Sequence, residues 1–230
     1  MLTSGKGKKV VQMAENQVLE ITWYGQSMFT VSGAGTTVAC DPVPPEVGYT
    51  YDPVEADVVL ISHDHFDHGY LSGIKGSPKV VRTAGATGLD GIEVTGIASF
   101  HDAKGGKERG PNVVFTWEQA GLKIAHFGDL GVLPGQEMLS TLSGLDVAMI
   151  PVGGVFTIDG AQAARFSEEL APAVAIPMHY KTPVLSIPLQ EIAGFTGSFS
   201  GPVRQMAERP LAITRDALPS ATEVWVLPYQ

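Results

Sequence analysis

The sequence predicts an α/β fold in which sheets are covered by helices. Short runs rich in β-branched residues and bounded by Gly and Pro dominate the first two-thirds of the chain. Several of these runs are almost wholly apolar, as strands buried on both faces are. Helical spacing is rarer and comes later, between such runs.

Strands are expected near 18–24, 28–32, 36–40, 57–62, 79–83, 92–99, 112–118, 121–127, 146–151, 173–178 and 223–227. The segment TIDGAQAARFSEEL, 157–170, reads as a helix. Asp159 is its expected N-cap, Ala163, Phe166 and Leu170 recur at helical spacing, and Pro172 stops it. Shorter helices are expected at 135–143 and at 188–194, where a proline stands at the start. Residues 13–230 read as a single domain, with 1–12 a disordered leader. That leader carries Lys6, Lys8 and Lys9 but lacks the apolar stretch of a secretory signal.

The formal net charge of −9 argues against nucleic acid as a partner. No apolar run approaches the roughly 18 residues of a membrane span. Cys40 is the only cysteine, so no intrachain disulfide forms and a cytoplasmic setting suits the chain. Oligomeric state is not legible here.

Half of the six histidines stand in SHDHFDHG, residues 62–69, directly after Val58-Val59-Leu60-Ile61. In an extended segment His63, His65 and Asp67 point to one side, and a turn beginning at Gly69 swings His68 in beside them. A helix would set His63 and His65 about 200° apart, too far to share an ion. Imidazole nitrogens with a carboxylate suit zinc or manganese, and iron also fits. His101, Asp129 and His179 each follow an apolar strand, where loops on a sheet scaffold carry function.

These residues resemble the metallo-β-lactamase-fold hydrolases, and especially their branch related to L-ascorbate-6-phosphate lactonase. The resemblance runs from about Val18 to Thr182 through ITWYGQSMF, CDP, SHDHFDH, SFHD, RGPN, HFGDLG, IPVGG, TIDGAQAA and IPMHYKT, in that order. It implies a four-layer αββα sandwich with a binuclear metal site at one edge. By the same resemblance His63, His65 and His101 hold one divalent ion, Asp67, His68 and His179 hold the second, and Asp129 bridges both. Two ions sharing a water lower its pKa towards about 7, which makes a nucleophile without a serine or cysteine. Asp67 and Asp129 are therefore the catalytic candidates.

Relatives often carry histidine where WYGQS has Gln26, a neutral amide without imidazole's proton chemistry. Asp41 is placed to orient a metal-bound imidazole from behind, and Asp64 to cap the following turn. His126 falls on the side of its strand away from Asp129. HDAKGGKERGPN, 101–112, reads as a mobile loop. From it Arg109, or Lys181 from elsewhere, receives an anionic substrate group, and Tyr180 donates to a developing oxyanion. The predicted function is metal-dependent hydrolysis of a small, anionic ester, lactone or phosphodiester. The alternatives are a di-iron redox protein and a metal-bearing protein that binds a metabolite without turning it over.

Overall fold

A computed structural model describes residues 17–89 and 91–230. The proposed leader at 1–12 lies outside them. Two large sheets form the body. In spatial order the six-stranded sheet runs Leu211–Ile213, Leu19–Gly25, Met28–Gly33, Thr36–Cys40, Val58–Leu60 and Lys79–Val81. The eight-stranded sheet runs Val203–Gln205, Glu223–Val226, Val174–Met178, Val147–Pro151, Leu122–His126, Pro111–Gln119, Ile92–Phe100 and Gly85–Leu89. A ribbon of Val54–Glu55 and Ile74–Lys75 stands apart.

Alternation along the strands explains the layering. Val38, Cys40, Val58 and Leu60 are buried in the core that both sheets share, with Val114, Ile124, Val147 and Ile176. The intervening Ala39, Val59 and Ile61 form a separate apolar cluster with Ala56 and Ile74. The cover on that second face is therefore loop and ribbon. The α-helices α1 (Gln136–Thr141), α2 (Gly160–Leu170) and α3 (Ala193–Thr196) all belong to connections of the eight-stranded sheet. The fold is the expected α/β one with two facing sheets, rich in sheet, and among the described residues its α-helices all accompany the eight-stranded sheet.

Helix α2 begins as its sequence predicts. Asp159 accepts from Gln162 N–H at 2.8 Å, and the Gln162 side chain accepts from Asp159 N–H at 3.0 Å, a capping box. Phe166 packs against Phe127 with ring centroids 5.1 Å apart, which seats the helix on its sheet. The helix expected at 188–194 forms instead at Ala193–Thr196. Residues 188–192 are held by backbone contacts, in which Gln190 N–H donates to Gly153 O and Gln190 O accepts from Lys181 N–H.

Strand direction puts the functional loops on shared edges. Leu122–His126, Val147–Pro151 and Val174–Met178 are mutually parallel. Ile92–Phe100 runs the same way, because both it and Leu122–His126 are antiparallel to Pro111–Gln119. Their carboxyl ends thus deliver His101, Asp129, Gly153 and His179 to one end of the sheet. Thr36–Cys40 and Val58–Leu60, also parallel, deliver Asp41 and the His63–His68 segment from the other sheet.

Candidate metal centre

The dense segment leaves its strand after Leu60 and turns at 66–68, with His68 N–H donating to His65 O at 3.2 Å. The turn therefore precedes Gly69, where it was expected, and it brings His68 inward directly. His63 Nε2 lies 3.1 Å from His65 Nδ1. The ligand atoms of His63, His65 and His101 fall within 4.8 Å of one another, and so do those of Asp67, His68 and His179. Asp129 stands between the two trios. Its Oδ2 is 3.1 Å from His179 Nε2, 3.2 Å from His101 Nε2, 3.4 Å from His68 Nε2 and 3.9 Å from His63 Nε2.

Local structure holds each donor in place. Asp41, fully buried, accepts from Ser62 N–H at 2.7 Å and Ser62 O–H at 2.6 Å, and its Oδ2 meets His68 Nδ1 at 2.9 Å. That leaves His68 Nε2 facing the centre. Asp41 with His63 and His68 makes a third trio of close donors. Its carboxylate is already engaged by Ser62 and by His68. Asn112 anchors the other side: its Oδ1 accepts from Asp129 N–H at 3.0 Å while its amide donates to Phe127 O at 2.9 Å. Gly128 lies between them at φ +54°, and a Cβ there would come within 2.4 Å of Asn112 Oδ1 and Ser62 Cβ. Only glycine fits such an approach.

His126 sits on the far side, as alternation predicts. Its Nε2 donates to Ser27 O at 2.8 Å and its Nδ1 accepts from Gly128 N–H at 3.2 Å, which defines one neutral tautomer. Burial lowers its pKa and keeps it neutral. Asp64 is exposed and makes no turn cap; Arg82, at 3.8 Å, is its polar partner.

The electrostatics favour a cation. Burial pushes the Asp129 carboxyl up, but the imidazoles of His179 and His68 and hydrogen bonds from His101 and His179 outweigh it and hold the group well below the carboxylate range. Burial and neighbouring His68 depress His63 to about 3, leaving a neutral donor. His68 Nε2 and Asp129 Oδ1 are buried with no hydrogen-bond partner. Such orphans are costly unless a ligand satisfies them. Nitrogen and carboxylate donors in this arrangement fit a divalent transition metal.

The chain from residue 20 to 179 matches the beta-lactamase superfamily domain. A UPF0173 metal-dependent hydrolase from Nitratidesulfovibrio vulgaris is 31% identical over 198 residues, which cover 72% of this chain and 82% of that protein. The chain belongs to this family. Another UPF0173 metal-dependent hydrolase, from Thermococcus onnurineus, is 28% identical over 72% of this chain and 86% of its own. A crystal structure from Thermotoga maritima, described as a candidate Zn-dependent hydrolase of the metallo-beta-lactamase superfamily, superposes with a TM-score of 0.75. It is 32% identical and covers 92% of this chain and 100% of its own.

In this member of the UPF0173 family a cavity of about 440 Å³ opens on the centre. His65, Asp67, His101, Asp129 and His179 line it, with Phe66, Phe156, Ile187 and Arg109 among the other walls. A larger cavity, of about 730 Å³, shares none of these residues. Of the three residues expected to meet substrate, Arg109 lines the cavity, whereas Tyr180 and Lys181 do not. Tyr180 is buried against Trp23, ring centroids 5.2 Å apart, and Lys181 Nζ donates to Leu185 O. Both follow His179, whose φ of +53° turns the chain away from the cavity.

Two residues that shape the surroundings of the cavity carry no signal in the sequence. Asp102 closes the 101–110 loop on itself, accepting backbone N–H bonds from Lys104, Gly106, Glu108 and Arg109 at 2.7–3.1 Å. Burial opposes its charge, but those four donors, Arg109 first, bring its pKa down to about 2. The loop expected to be mobile is therefore clamped. Phe156 was the second miss, since a lone aromatic in GGVFT has no periodic signal.

Proposed function

We propose that this protein hydrolyses a small ester, lactone or phosphodiester with water activated at a two-metal centre. His63, His65 and His101 would hold one ion, Asp67, His68 and His179 the other, and Asp129 would join them. The position of Asp129 Oδ2 within 3.1–3.9 Å of four imidazoles from both trios carries the reading. Zinc or manganese bound here would supply Lewis acidity that lowers the pKa of water from 15.7 towards about 7 and would polarise the substrate's oxygen.

The chain's own residues supply the rest. Asp129 orients the attacking water from a carboxylate held anionic by its histidines. Asp67 is steadied by Gln26, and His68 by Asp41. The step is addition of water across the scissile bond: its oxygen bonds to the acyl or phosphoryl centre, and its proton leaves with the departing oxygen. A lactone is included because of the likeness to the ascorbate-6-phosphate lactonase branch. We place the reaction in the cytoplasm, in keeping with the single buried cysteine.

Protein purified without chelator, metal analysis, and generic lactone and phosphodiester probes test this. The expected result is two equivalents of metal and turnover that chelator abolishes and metal restores. Asp67→Ala should abolish turnover and weaken metal retention. Full activity in that variant, or no bound metal in the wild type, sinks the proposal.

A further inference from the structure

We infer that the substrate of this centre carries a carboxylate or phosphate group on a compact apolar body, received by Arg109 and Phe156. This rests on the hydrolase reading above and deepens it to a substrate class.

Arg109 has the position and the free valence for the task. It is half-buried, it lines the metal cavity, and its guanidinium lies over the Phe156 ring, 5.3 Å from the centroid. Its backbone N–H is tied to Asp102 Oδ2 at 2.9 Å, which sets where the side chain starts. Yet the guanidinium forms no ion pair with a carboxylate among the described residues. Asp102 is taken up by backbone donors and Asp67 and Asp129 by the histidine cluster, while Asp64, an exposed carboxylate at the cavity rim 3.8 Å from Arg82, makes no ion pair with Arg109. A guanidinium fork presented beside a cavity matches an oxyanion geometrically.

The remaining walls define the body of the ligand. Phe66, Phe156 and Ile187 are apolar, and Phe66 is 71% exposed, which is unusual for so large a side chain in a solvated loop. A volume of about 440 Å³ lies towards the small end of ligand sites and admits a compact molecule. The net charge of −9 would repel anions at long range, so a local cation in the mouth has a clear use. Arg109 faces three apolar walls, with Asp64 at the rim turned to solvent, and this favours one anionic group on a hydrophobic frame.

Three esters separate charge from apolarity: 4-(acetoxymethyl)benzoate has both, benzyl acetate lacks the anion, and 4-acetoxybutanoate lacks the ring. Metal-loaded wild type should favour the first over each of the others by about tenfold in kcat/KM. In Arg109→Gln the preference over benzyl acetate should shrink about tenfold, and Arg109→Lys, charged but without the fork, should fall between. Phe156→Ala should cut it about threefold. Calorimetry with the product 4-(hydroxymethyl)benzoate, at matched metal content, gives a readout free of turnover: binding should weaken about tenfold in Arg109→Gln. Equal binding in wild type and Arg109→Gln overturns the subsite. Hydrolysis of none of the esters, nor of the lactone and phosphodiester probes, with binding still lost in Arg109→Gln, overturns the hydrolase reading and leaves the anion subsite standing.

Discussion

The side-chain amide of Gln26 donates a hydrogen bond to Asp67 Oδ2 at 2.9 Å, and Gln26 is completely buried. Its own Oε1 has no partner, while its backbone carbonyl accepts from His179 N–H at 3.0 Å. One residue therefore touches two donors of the same trio. The amide steadies Asp67 without a titrating group. Gln26→Ala should lower metal affinity by roughly tenfold. Gln26→Glu should do worse, because two carboxylates would then face each other. Competition against a chromophoric chelator reads both; unchanged affinity in Gln26→Ala would show that the contact is incidental.

Metal and folding should be linked. The centre gathers donors from both sheets, and an unfolded chain cannot reproduce that convergence. Zinc or manganese at about one hundred times its dissociation constant should add about 2.7 kcal/mol of stability. Thermal melts with metal and with chelator measure this, and coincident melts would contradict it.

Asp41 should matter for folding even without metal. Burial alone would raise its pKa, but His68 above all keeps it lowered and ionised. Asp41→Asn tolerates the same φ of +42° but substitutes a donor for one acceptor oxygen facing Ser62 and His68. Breaking a buried charged pair costs about 3 kcal/mol or more. Urea unfolding of the chelated variant should show a loss of that order, and a loss below about 1 kcal/mol would argue that Ser62 alone holds the turn.

Asp102→Ala removes the acceptor of four backbone donors but touches little of the core. Amide exchange over residues 103–109 should accelerate by about tenfold or more, with the strands unaffected. A protected loop in this variant would mean that chain geometry, not the carboxylate, closes it.

Glu223 supplies a pH signature away from the centre. Arg204 donates to it twice, at 2.6 and 2.8 Å, and Trp225 Nε1 donates at 2.9 Å. The Arg204 hydrogen bond, then Trp225, holds its pKa below the ordinary 4.5. A carboxyl depressed on folding adds stability above its unfolded pKa and loses it as pH falls through the folded value. Wild type should therefore be more stable than Glu223→Gln at neutral pH, and the gap should narrow progressively below pH 4.5. A gap that stays constant with pH would assign the effect to packing.

Much of the scaffold was legible because burial on both faces writes apolar runs such as Val147–Pro151 and Val174–Met178 directly into the chain. Several short strands were not. Gly85–Leu89 is glycine-rich and forms only as the edge partner of Ile92–Phe100, so its identity comes from its neighbour. The same holds for Val203–Gln205 and Leu211–Ile213, each paired at a sheet edge. At the centre, the donors announced themselves by residue type and spacing, whereas Asn112 and Asp102 act through backbone contacts that leave no pattern.

The chain itself determined which donors are available: imidazoles and carboxylates at strand ends, groups able to bind metal or to carry protons. Their use was decided by tertiary structure, since side-chain direction depends on local turns and long-range contacts. His179 and Tyr180 are neighbours in sequence, yet a left-handed backbone at His179 sends one into the centre and the other into the core. Gln26 and Asp67 are 41 residues apart and meet only because strands from one sheet lead their loops to the same edge.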